Sequence, residues 1–481
     1  MNQLALALQQ ANIAPASPAR VVGHRDLPPQ TFPHTAAAPA PGDFLDQSAD
    51  APWNSDQLCR ELDRIKAELA ELRSGNRWQD VLTLIHPVGE KWPELVDAGL
   101  DGELLRESAF ALCRLGRHEE AMTTVRPLTT TEPDNAQAWY ALGYAAYEAL
   151  YAAKRDRGPM PPATRRGLIE TAHRAFGHCQ RLQGDSVSFF YRDAMVYKDF
   201  EDKPRQAIPL FERAIRNYEQ ASPEERDRRH QQRPKFIRAL YHLASCRLNT
   251  GHPTASLALL EKVLAEDADR NHMSPVFKHF ALAKTLHALG RPADALQHLE
   301  TAAVRAEQNE PVEYVHELSA RCALQLRQVE RAAACLGRIP QNRRRPYIRW
   351  TEADVLVAQG RPQQAIATLE QAAERDRLAR HKSLIRLARI HLRCGQHEQG
   401  LTAARQANEF CRERYGNGSS EARFWEAACL YRLDRFAEAR TIVSELSRTN
   451  FVYPGLRKLA ALLHGDRPAS DGQTPGKTTV N

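Results

Sequence analysis

The sequence predicts an all-α fold, a solenoid of antiparallel helix hairpins stacked one on the next. Three observations predict it: apolar residues at helical spacing along most of the chain, a recurring turn residue with a small residue five places later, and small residues at two fixed places in each repeat. Composition agrees. The chain has 481 residues, 42% hydrophobic and 26% charged, the values of an ordinary globular protein. Aromatics are only 7%, which leans away from all-β folds. Together these exclude a collagen-like fibre, a disulfide-stapled mini-protein and a wholly disordered chain. No apolar run reaches the roughly 18–20 residues of a membrane span. The balance of 66 Lys+Arg against 59 Asp+Glu, net +7, is mild and does not by itself argue for nucleic acid.

Residues 1–52, rich in Pro and Ala without periodicity, are expected to be a disordered arm. The start lacks the basic and continuously apolar stretches of a secretory signal. Nine cysteines are scattered singly, with no C-x-x-C pair, which argues against a disulfide framework. A reduced cytoplasmic setting is the expectation, and the Arg- and Ala-rich composition suggests a GC-rich bacterial gene. Residues 53–103 are expected to form capping helices. Ser55 is placed to cap a helix whose stripe runs Leu58, Leu62, Ile65, Leu69, Leu72. Two heptads are marginal for a dimerising coiled coil, so a cap on the solenoid is favoured.

From 104 to 465 the repeat takes over. LGRHEEA, LGRPADA, QGRPQQA, CGQHEQG and LDRFAEA share one layout. A first series of small residues runs Ala109, Gly143, Ala194, Ala244, Ala283, Ala320, Ala353, Ala388, Ala427. A second runs Ala121, Ala172, Ala207, Ser256, Ala295, Ala332, Ala365, Gly400, Ala439. Helices approach to about 8–10 Å only where side chains at the crossing are small. One hairpin cannot bury its own apolar face, so hairpins stack and share a continuous core.

This layout resembles tetratricopeptide repeats, whose pattern is W-x2-L-G-x2-Y, then A-x3-F, then A and P. The clearest copy is Trp139, Leu142 and Gly143, completed after an insertion by Ala172, Phe176 and Cys179. Others are Ala207, Phe211, Ala214 and Ala365, Leu369, Ala372. The resemblance covers roughly 104–447. It implies a right-handed superhelical solenoid of about nine to ten hairpins. The chain departs from the family in repeat spacings of 33 to 51 residues and in often lacking the final Pro. Related helical-repeat arrays remain open on that account. Insertions at 154–167 and 219–235 and the stretch Gln341–Arg349 carry Arg clusters. They read either as solvated loops or as binding elements. The tail 466–481 is expected to be disordered.

No phosphate-binding loop, nucleotide-binding glycine fingerprint, nucleophile elbow or H-E-x-x-H is present. An enzyme is therefore not expected, nor a cofactor. His279, His287 and His298 lack further ligands at metal spacing, and His173 and His178, five apart, share a helical face poorly. In the family the first helix of each hairpin lines a concave groove. Three places before the first small residue stand Arg106, Tyr140, Tyr191, Tyr241, Phe280, Glu317, Trp350, Ile385 and Phe424; one place after it the later repeats carry Lys284, Arg321, Asp354 and Arg389. The aromatic stripe reads as groove wall or as inter-helix packing, whereas a packing position does not favour Lys or Arg. The candidate groove residues are Tyr140, Tyr144, Tyr241, Phe280, Lys284, Arg321, Trp350, Lys382 and Arg389. The paired Asn and Lys of repeats that clamp chaperone tails are not seen. The expected function is a non-enzymatic adaptor that binds a partner segment carrying apolar anchors and acidic groups. The alternative is a nucleic-acid-binding accessory subunit that uses the Arg-rich insertions.

Overall fold

The computed structural model describes residues 54–464 apart from 157, 159, 269, 270, 309 and 450. The expected disordered arm and tail lie outside the described residues. Among the described residues all regular structure is helical, and the chain divides between Met273 and Ser274 into two units.

In the amino-terminal unit, Ser55–Ser74 pairs with Trp78–Ile85, and two short helices follow. Four hairpins come next: Gly102–Arg114 with His118–Val125, Ala136–Asp156 with Pro162–Leu182, Val187–Asp199 with Pro204–Gln220, and Arg233–Asn249 with Pro253–Glu266. The carboxy-terminal unit has five: Pro275–Ala288 with Pro292–Val304, Glu313–Gln325 with Val329–Gly337, Pro346–Ala358 with Pro362–Arg375, Arg380–Arg393 with His397–Tyr415, and Ser420–Arg432 with Phe436–Arg448. It ends in Leu456–His464.

The first helix is capped one residue earlier than the sequence suggests. Asn54, not Ser55, accepts from the Gln57 N–H, and the Gln57 side chain accepts in return from the Asn54 N–H. Leu58, Ile65, Leu69 and Leu72 are buried in one cluster with Leu82, Ile85, Leu95 and Leu104. The stripe is thus used up inside its own unit.

The recurring turn residue terminates the first helix of a hairpin. Gly116, Gly290 and Gly360 take positive φ, and the next N–H bonds the carbonyl five residues back: Arg117 to Leu112, Arg291 to Leu286, Arg361 to Leu356. That bond satisfies a helix-end carbonyl and reverses the chain. Arg327 and Asp434, both at φ 59°, make the same bond through Gln328 and Arg435. For them the left-handed conformation costs about 1–2 kcal/mol. Pro253, Pro292 and Pro362 then open second helices, where a missing N–H is no loss.

The paired small residues meet at the crossings. Ala109 and Ala121, Ala194 and Ala207, Ala244 and Ser256, and the corresponding pairs of the other unit are all but sealed from solvent. At Gly143 a Cβ atom would stand 2.9 Å from the Phe176 ring and 3.1 Å from the Ala175 Cβ. At Gly400 it would stand 2.9 Å from the Cys429 Sγ. Phe176 is itself fully buried, so it has nowhere to go. Gly143→Val should destabilise the amino-terminal unit by about 1–3 kcal/mol, read as a lower urea midpoint with unchanged slope.

Candidate functional site

The sequence-predicted groove residues fall into two physical groups. Tyr241, Phe280, Trp350 and Lys284 are only 2 to 5% exposed. Phe280 packs edge-on against Tyr314 at 4.6 Å. The Trp350 Nε1 donates to the Ser383 Oγ at 2.7 Å, tying successive first helices together. These side chains pack between neighbouring helices, so a ligand meets little of them. The packing reading of the aromatic stripe accounts for them: a first helix presses its ring face against the next first helix, and the ring fills that gap. Tyr140, Tyr144, Arg321, Lys382 and Arg389 are only half-buried.

In the carboxy-terminal unit two half-buried cations lie against the Trp350 ring. The Arg386 guanidinium lies 4.9 Å and the Lys382 ammonium 5.8 Å from its centre. Arg389 donates to Asp354 at 2.7 Å, and Arg321 comes within 4.0 Å of Glu317. Arg321 and Arg389 therefore have partners on the first-helix face, a structural role that residue type alone does not reveal. Glu317 is buried and accepts from the Thr351 hydroxyl at 2.5 Å. Burial pushes its carboxyl pKa up, which weakens it as a counter-charge. The Nε atoms of Arg386 and Arg389 are buried without an acceptor. Sequence reading missed Arg386, which lies four residues after Lys382 and shares its helical face.

In the amino-terminal unit a ladder of half-buried rings runs from the helix Trp78–Ile85 onto the first helices of the next two hairpins. Trp78 meets Phe110 at 5.4 Å, Phe110 stacks on Tyr144 at 5.8 Å, and Tyr140 follows at 6.1 Å. Phe110 and Tyr144 occupy the place just after Ala109 and Gly143, the same place that carries Lys284, Arg321 and Arg389 later. Carrying that register back to the first two repeats is the signal that finds Phe110. Arg114 lies over Trp78 and Arg192 over Tyr144, Tyr147 and Tyr191.

The basic segments are engaged in the fold. Arg226 donates to the Tyr218 carbonyl, Arg229 pairs with Asp185 at 2.7 Å, and Arg233 donates to the Glu266 carbonyl at 2.6 Å. Lys154 donates to the Asp199 carbonyl, and Arg165 bonds the Phe200 carbonyl. Arg343 pairs with Glu313, and Arg344 and Arg349 share Glu352. Cations at helix carboxyl ends are what the helix dipole favours. Nothing in this arrangement favours the nucleic-acid reading.

Of the histidines, the Nδ1 atoms of His279 and His298 lie 3.0 Å apart. Burial, then His298, brings the His279 pKa down to about 4. His287 stands apart from them, also near 4 through burial and Arg321. Among the described residues no three His, Cys, Asp or Glu side chains are placed to hold a metal ion. His178 stacks on Trp139 at 4.0 Å. His173 lies between Asp193 and Glu201 and against Tyr197. Burial opposes its charge, but the bonds to the two carboxylates outweigh it and raise its pKa.

Two tetratricopeptide-repeat family models match the chain, over residues 351–411 and 279–301. No curated protein matches it in sequence. Among solved structures, a tetratricopeptide repeat protein from Parabacteroides merdae is 11% identical with a TM-score of 0.45, covering 59% of this chain and all of its own. The Naa15/Naa10 complex bound to HypK-THB is 15% identical with a TM-score of 0.40, covering 87% of this chain and 71% of its own. YrrB, a TPR protein with an unusual peptide-binding site, is 16% identical with a TM-score of 0.34, covering 48% and 95%. Among the described residues no helix is long and apolar enough to cross a membrane.

Two outcomes follow from the burial and the charges. Trp350→Ala should cost the carboxy-terminal unit about 3–5 kcal/mol in chemical denaturation, as for a large core ring. The folded protein holds the His173 proton more tightly than the unfolded chain. Its stabilisation is therefore complete below about pH 6.5 and is lost as pH rises through the elevated folded value. His173→Gln should flatten that part of the stability profile, measured by urea unfolding from pH 5.5 to 8.5.

Proposed function

We propose that this chain, a tetratricopeptide-like helical repeat protein, is a non-enzymatic scaffold that holds a segment of a partner protein against the first-helix faces of its hairpins. Aromatic and Arg/Lys side chains make the contact. The observation that carries this reading is the imbalance around Trp350. Four cations (Arg321, Lys382, Arg386 and Arg389) act there against Asp354, Asp376, Glu421 and a Glu317 whose charge burial disfavours. A protein surface that keeps cations this close has an attraction for acidic groups in reserve.

Within the predicted set, Arg321, Lys382 and Arg389 are the contact residues of the carboxy-terminal unit, and Tyr140 and Tyr144 those of the amino-terminal unit. Tyr241, Phe280, Lys284 and Trp350 support them from beneath. The half-buried groups are already held in place by ion pairs and ring faces, so little side-chain entropy is lost when a partner arrives. Apolar groups of the partner would lie over the ring edges, with its acidic groups facing the cations.

The test is capture of partner proteins from the source cell's lysate by the purified chain. Arg321→Gln, Lys382→Gln and Arg389→Gln together should cut capture at least about tenfold, equivalent to about 1.4 kcal/mol, with the helical circular dichroism signal unchanged. Full capture by a folded triple variant overturns the proposal.

A further inference from the structure

The amino-terminal unit holds a cavity of about 610 Å³ that the sequence did not single out. Tyr140, Phe189, Gln137, Gln232, Arg229 and Lys235 are among its lining residues. Its chemistry is donor-rich. Gln232 accepts from the Val187 N–H through its carbonyl oxygen, which leaves its NH₂ group to donate. Asp185, also on the wall, is already paired with Arg229.

Lys235 differs from every other basic group on this wall. It is half-buried, and no hydrogen bond or ion pair joins it to a described residue. Burial, with Arg192 and Arg238 nearby, pulls its ammonium pKa below the usual range. Arg192, near enough to act on it, lies against the faces of Tyr144, Tyr147 and Tyr191, its Nε buried without an acceptor. Two neighbouring cations without counter-ions repel each other and are poorly hydrated. An anion in the cavity beside Lys235 supplies the counter-charge it lacks.

We infer that this cavity receives a single carboxylate side chain from within a partner's peptide segment, with Lys235 as its direct counter-charge, Gln232 donating to it, and Tyr140 and Phe189 packing on the adjoining methylenes. Charge complementarity commits the occupant to an acidic protein segment. The one ammonium on the wall without a partner matches a monoanion, since Arg229 is spent on Asp185. The four glutamines on the wall (Gln137, Gln183, Gln231 and Gln232) both donate and accept, as a peptide main chain requires. This inference rests on the scaffold reading and names the partner chemistry for one of its faces.

The experiment measures fluorescence anisotropy of the full-length chain with a labelled peptide of repeated Leu-Glu-Glu, blocked at both ends. Binding that weakens about tenfold or more in Lys235→Gln, the scale of a lost charge-assisted hydrogen bond, is the expected result. Lys235→Arg should retain most of the binding, and Tyr140→Ala should weaken it with the helical circular dichroism signal at the assay temperature unchanged. The Leu-Gln-Gln counterpart should not bind. Equal binding of that neutral peptide, or no effect of Lys235→Gln, overturns the inference. So does a phosphoserine version that binds where the glutamate version does not, or binding confined to a peptide with a free carboxyl terminus. The triple variant at Arg321, Lys382 and Arg389 separates the two proposals. Peptide binding that fails while capture still depends on those three residues removes this cavity alone; capture that survives the triple variant removes the scaffold reading.

Discussion

The absence of side-chain bulk where paired helices cross is the constraint on which the other features depend. Gly143 lies against the Phe176 ring with no room for a Cβ atom, and its counterparts in the other hairpins are sealed from solvent. Close approach at that point brings the larger residue one turn further on, such as Phe176, Phe211 or Leu369, into full burial. Each hairpin thereby acquires a fixed geometry, but its outer flanks stay apolar and must be covered by the next hairpin.

That covering decides what the first-helix faces can offer. Rings three places before the crossing are used between successive hairpins, as the Trp350 to Ser383 bond illustrates. What is left partly open is the row just beyond the crossing and the residues beside it. In the first two hairpins that row is aromatic and half-buried, with Phe110 and Tyr144; in the carboxy-terminal unit its half-buried members include Arg321 and Arg389, whereas Met195 and Lys284 in the same row are covered. Beside Arg321 and Arg389, Lys382 and Arg386 lie over the Trp350 ring. Such contacts hold them in place at low cost in hydration and leave part of their charge uncompensated.

Much of the fold was legible because its signals are local. A left-handed turn residue and two small residues at fixed spacing are each read by short-range sterics, and they recur often enough to define the hairpins. The cap was misplaced by one residue because Asn54 and Ser55 are both good acceptors, and only the reciprocal bond with Gln57 decides between them. The candidate site was legible only in part. Helical geometry placed Lys382 and Arg389 on one face, but it could not tell that Phe280, Tyr241 and Trp350 would be covered. Their burial depends on the neighbouring hairpin, tens of residues away in the chain.

By itself the sequence determined the helical hairpins, their order and the residues at each crossing, because these follow from backbone conformation and side-chain size over a few neighbouring residues. Tertiary structure alone decided which polar groups found partners. The Arg-rich insertions read as solvated loops or binding elements, yet Arg226 and Arg233 end on the carbonyls of other helices and Arg229 on a carboxylate in the turn before Val187. Lys235, unremarkable in the sequence, is left without one. A charge is satisfied or stranded according to what lies within about 4 Å of it, and that distance is set only when separate hairpins pack.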